Sequence, residues 1–64
     1  MTVKQAKAIV AAARENRADS FLASQDEGSM LVEATLLAEE EGAGIVDVIT
    51  VDEHGSIVAQ GVDG

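Results

Sequence analysis

A 64-residue chain with no cysteine, one aromatic residue and a formal net charge of −8 has few ways to hold itself together. It has neither a disulfide nor a thiolate metal site, so a single small domain over 1–64 must be built from aliphatic packing. A chain this short buries only about 60% of the surface it exposes when unfolded. Regular packing or an oligomer is therefore expected to supply the remainder.

The longest apolar run, Ala8 to Ala13, is far below the ~20 residues of a membrane span and short for a signal-peptide core. A cytoplasmic protein that does not enter a membrane is the expectation. Charge is distributed very unevenly. Lys4, Lys7, Arg14 and Arg17 are the only basic residues, and with Glu15 they give the first 17 positions a charge of +3. Ala18 to Gly64 holds eleven acids and no Lys or Arg. Two carboxylates about 7 Å apart in water repel by about 0.6 kcal/mol before screening, so this layout opposes compaction while favouring solubility.

In chain order, Thr2-Val3-Lys4-Gln5 reads as a capping box opening a helix over about 2–16. Val3, Ala6, Ile9, Val10 and Ala13 form its apolar stripe, and Arg14 and Arg17 suit its C-terminal dipole. Residues 18–24 (ADSFLAS) read either as a loop plugging Phe21 and Leu22 into the core or as a short third strand near 20–24. Ser24-Gln25-Asp26-Glu27 matches a second capping box, predicting a helix over about 26–41 that stops at Gly42. On that helix Met30, Leu31, Ala34, Leu37 and Ala38 share an arc of about 120°. Asp26, Glu33 and Glu40 line the adjoining face at intervals of seven, and Val32 and Leu36 lie beyond them among Glu33, Glu39 and Glu40. That last pair is either a second packed side or an apolar anchor inside an acidic rim. Ile45 to Val51 is β-branched except at Asp47, and Asp52-Glu53-His54-Gly55 is a turn signal, so a hairpin over about 45–51 and 56–61 follows. The expected fold is α+β: two helices, then a C-terminal β-hairpin.

The residues offer no chemistry. His54 is the lone histidine, and contiguous Asp52, Glu53 and His54 on a tight turn do not converge on one point. An EF-hand fails, because counting from Asp52 the glycine falls fourth instead of sixth. Gly42-Ala43-Gly44 comes after a helical pattern and before a strand, the reverse of a phosphate loop. No catalytic residue, metal site or cofactor is expected. Four cations against twelve acids, without a stacking aromatic, also exclude direct nucleic-acid binding.

What remains is binding to another macromolecule. A scaffold displaying rows of carboxylates can occupy the phosphate-binding groove of a basic protein. The expected contact row is Asp26, Glu33 and Glu40, flanked by Glu39 and Glu41, with Asp47, Asp52 and Glu53 extending it and Leu36 as apolar anchor. The stretch LVEATLLAEEEGAGIVDVITVDEHGSIVAQG, read as a helix followed by a hairpin in a tiny acidic cysteine-free chain, resembles phage-encoded anti-CRISPR proteins and related DNA mimics. The resemblance implies inhibition by blocking a nucleic-acid-handling complex, such as a CRISPR effector subunit. It carries over no individual functional residue. A self-associating structural or antitoxin-like adaptor, including a homodimer joined through strand edges, is the alternative.

A third reading attributes the acidity to a high-salt cytoplasm. On that reading, circular dichroism shows a poorly folded chain in dilute buffer that gains stability steadily towards molar salt. A cooperative melt at low salt removes it.

Overall fold

The computed structural model describes residues 1–39 and 44–61. They form one helix followed by four strands: α1 (Val3–Glu15), β1 (Ser20–Ser24), β2 (Val32–Ala38), β3 (Gly44–Val51) and β4 (Ile57–Gln60). The strands make an antiparallel meander in the order β1-β2-β3-β4, and α1 packs on one face of it.

The α1 capping box forms as its sequence predicts. Gln5 N–H donates to Thr2 Oγ1 at 3.1 Å, and Thr2 N–H donates to Gln5 Oε1 at 2.8 Å. The helix ends in a Schellman arrangement. Ala18 N–H reaches Ala13 O at 2.8 Å and Arg17 N–H reaches Arg14 O at 3.2 Å. Arg17 takes the left-handed position at φ 57°, where glycine is usual. The helix turns Ile9, Ala12 and Ala13 onto the sheet, where they meet Val32, Ala34, Leu36, Ile49 and Val51.

The second helix and the isolated hairpin are not what the chain forms. Residues 32–38 are strand β2, and Asp26 begins a turn closed by Ser29 N–H donating to Asp26 O at 3.0 Å. The expected stop at Gly42 lies outside the described residues. Two patterns compete in this segment: the helical arc through Met30, Leu31, Ala34, Leu37 and Ala38, and the strict alternation Val32-Glu33-Ala34-Thr35-Leu36. The alternation wins because β3 has apolar side chains to bury and needs a hydrogen-bonded neighbour on each edge. Val32 pairs with Val51 and Ala34 with Ile49, so alternate β2 residues complete the layer under α1. Val32 and Leu36, either a packed side or an apolar anchor on the expected helix, are 1% and 0% exposed in that layer, so Leu36 is no contact anchor. Leu36 is a core residue.

Residues 20–24 take the strand alternative, with β1 as an edge strand paired to β2 in unbroken register from Ser20–Leu37 to Ser24–Glu33. The β3–β4 hairpin forms close to its expected bounds and is bulged between Thr50 and Val51. Its turn holds Gly55 at φ +84°, where a Cβ would stand 2.8 Å from Lys4 O. Glycine is required there on both counts.

Gln5 is 1% exposed and joins these parts. Besides capping α1, its Nε2 donates to Met30 O at 2.7 Å and to Val51 O at 3.4 Å. Substituting Gln5→Ala leaves two carbonyls and a helix amide without this partner. It should cost about 2–3 kcal/mol, lowering the melting temperature by roughly 10 °C or more in a thermal denaturation scan.

Candidate functional site

The β1–β2 connection and the β3–β4 turn lie at the same end of the sheet, because the start of β2 pairs with the end of β3. Asp26 and Glu27 on the first and Asp52 and Glu53 on the second therefore share that end. The N-terminus of α1 lies there too, with the Met1 ammonium donating to Gln25 Oε1 at 3.3 Å. The β1–β2 connection is pinned by its own polar groups: Gln25 Nε2 donates to Ser29 O at 2.7 Å and Leu31 N–H to Ser29 Oγ at 3.1 Å. A polar cleft of about 250 Å³ opens beside it, lined by Ser24, Asp26, Ser29, Leu31, Glu33 and Thr50.

The expected contact row is thus partly gathered and partly dispersed. Asp26 and Glu33 share the cleft, although they were expected seven residues apart on a helix that does not exist. Glu39 follows the far end of β2, where its N–H donates to Asp19 Oδ2 at 2.8 Å. A strand of this length separates it from Val32 by roughly 20 Å, so it does not adjoin Asp26. Glu40 and Glu41 lie outside the described residues.

Asp47 is buried beside the core. Its Oδ1 accepts from its own neighbour Val48 N–H at 2.9 Å and its Oδ2 from Gln60 Nε2 at 2.8 Å, tying β3 to β4. It is not displayed. Asp52 is engaged too, because its Oδ1 accepts from His54 N–H and Ser56 N–H, both at 2.9 Å. Glu53 stands exposed, its Oε1 3.9 Å from His54 Nε2. Glu27, exposed beside Asp26, was left out of the row. A helix over 26–41 would set Glu27 well away from Glu33 around the helix axis.

No lysine or arginine among the described residues is ion-paired to a described carboxylate. The four cations stand on the exposed side of α1 and at its end. Among the described residues no group of His, Asp and Glu could hold a metal ion, and no helix is long and apolar enough to cross a membrane.

The sequence reading also passed over the sheet face opposite α1. Leu22, Thr35 and Val48 line up across β1, β2 and β3, with Leu37 and Ile45 paired beyond the β2–β3 bulge. Leu22 is 67% and Ile45 54% exposed, and Glu33 is the one ionisable residue on the β2 part of this face. The alternation in Val32–Leu36 that predicts a half-buried strand is the signal that points to it.

Comparison with known proteins returned no matching family, no matching curated protein and no matching solved structure.

The hydrogen bond from Ser56 N–H, with help from His54, holds the Asp52 carboxyl below the usual carboxylate range against a partial desolvation that raises it. A depressed folded-state value stabilises the fold above the unfolded-state range, and that contribution is lost as pH falls through the folded value. Asp52→Asn should therefore remove part of the loss of stability seen as pH falls below the usual carboxylate range in pH-dependent melting curves.

Proposed function

We propose that this chain is a non-catalytic binding protein that presents carboxylates to a basic surface on a protein partner. The observation that carries the proposal is the end of the sheet where Asp26, Glu27 and Glu53 stand exposed with no Lys or Arg ion-paired to them. Unneutralised carboxylates on two adjoining connections give a partner's lysines and arginines a target, steer association and make it fall with salt. The turn around Ser29 and the Asp52 hydrogen bonds order both connections before any partner arrives, which lowers the entropy lost on binding.

A partner whose basic surface normally binds nucleic acid, as an anti-CRISPR or DNA-mimic action requires, fits this chemistry. The helix-then-hairpin organisation that resembles those inhibitors is a meander in the structure, so the proposal rests on the displayed charge. The carboxylates that support it are Asp26, Glu27, Glu33 and Glu53. Leu36 and Asp47 serve the fold instead, being buried.

Tagged protein is incubated at low salt with lysate of its source, and bound material is released by a salt gradient. The proposal expects a basic nucleic-acid-binding assembly that is lost at rising salt, is displaced by added duplex DNA or RNA, and is not retained by an Asp26→Lys/Glu27→Lys/Glu53→Lys variant with an unchanged melting temperature. Retention by that variant, or indifference to nucleic acid, overturns it.

A further inference from the structure

We propose that the free edge of β1 pairs antiparallel with β1 of a second copy about a two-fold axis at Leu22, joining the two sheets into one of eight strands. The inference shares Glu27 with the carboxylate reading but is read out by self-association instead of partner capture, and four observations carry it.

The first is the lack of protection. Edge strands are commonly guarded by charge, proline or a bulge. Ser20-Phe21-Leu22-Ala23-Ser24 has none of these, in a chain where one residue in four is charged. The opposite edge, β4, is kinked by the bulge at Thr50/Val51, whereas β1 runs in unbroken register. Of the two edges β1 is the straighter template.

The second is the charge pattern that the symmetry creates. An axis at Leu22 sets Ser20 against Ser24 of the second copy and Phe21 against Ala23. Beyond the ends of β1 the same symmetry brings the helix stop that holds Arg17 towards the Asp26–Ser29 turn that holds Glu27. The cationic end of α1 in each copy therefore meets the acidic β1–β2 turn of the other, twice per dimer. Neither Arg17 nor Glu27 has an ion-pair partner of its own among the described residues.

The third is the backbone of Arg17. A non-glycine residue in the left-handed region is disfavoured, and glycine would serve the helix stop at lower cost. Arg14 already supplies a cation in the last turn. The dimer gives the Arg17 side chain a use beyond the helix dipole that Arg14 already complements.

The fourth is the apolar surface beside the edge. A groove of about 380 Å³, lined by Val10, Ala13, Ala18 and Phe21 with Arg14, Asp19 and Ser20, runs along the helix side of the start of β1. The pairing sets Ala23 of the second copy against Phe21 at the rim of that groove. On the other face it brings the two exposed Leu22 side chains together.

Sedimentation equilibrium from about 1 μM to about 1 mM chain at physiological salt is the test. A monomer–dimer equilibrium is expected, with Arg17→Glu and Glu27→Arg each weakening it about tenfold by placing like charges opposite one another twice. The double variant Arg17→Glu/Glu27→Arg should return close to the original affinity, because the swap restores opposite charges in this register. Arg17→Gly separates the roles: it should raise the melting temperature, read where the chain is monomeric, while still weakening the dimer. Ile45→Glu, on the sheet face away from the edge, should leave the dimer intact. Monomer throughout the range, a dimer insensitive to both single reversals, or a double variant no better than the singles overturns the proposal. Loss of the dimer in Ile45→Glu alone assigns association to the open face and overturns it equally.

Discussion

The Gln5 side-chain amide is the contact on which the arrangement of helix and sheet depends. Three polar groups from separate places, the Thr2 amide and the carbonyls of Met30 and Val51, converge on it in a site closed to water. Burying an amide is costly unless its donors and acceptor are all used, and here both donors and the acceptor are. The same atoms that start the helix therefore fix its N-terminus over the junction of β2 and β3. Only with the helix so anchored do Ile9, Ala12 and Ala13 fall on Val32, Ala34, Leu36, Ile49 and Val51. The alignment also brings the backbone of Lys4 against Gly55.

One helix covers one face of a four-stranded sheet. A chain of this length has no second element among its described residues to cover the other, which leaves Leu22 and Ile45 in solvent and β1 with an open edge. Among the described acids Glu33 alone stands on the open face, while Asp26, Glu27, Asp52 and Glu53 sit in connections at one end and Asp47, within β3, is turned inward and bonded to Gln60. High negative charge keeps such a molecule soluble through long-range repulsion. Surfaces free of like charge are where another chain can approach at least electrostatic cost.

The carboxylates divide into two kinds by what the backbone offers them. Asp47 and Asp52 each accept hydrogen bonds from nearby donors, so their charge is used to set turns and strand pairs. Asp26, Glu27 and Glu53 are exposed on connections and are not ion-paired to a described lysine or arginine. Composition treats all of these alike. A count of acids therefore overstates the freely displayed charge, because Asp19, Asp47 and Asp52 are engaged in hydrogen bonds.

The sequence alone determined whatever rests on local contacts. The Thr2–Gln5 capping box, the helix it opens, the β-branched run of β3 and the turn at Asp52–Gly55 are each set by residues a few positions apart, and each forms where the chain predicts it. So are the missing thiols and the single exposed histidine. The tertiary structure decided residues 26–38, where helical and alternating patterns coexist. What tipped the balance was the non-local requirement that β3 be paired on both edges, with partners such as Ala34 and Ile49 that lie 15 positions apart. That choice put Leu36 in the core, set Asp26 and Glu33 beside one cleft and left β1 with an open edge. A row of side chains is a property of the backbone that carries it, and here that backbone was chosen by a strand elsewhere in the chain.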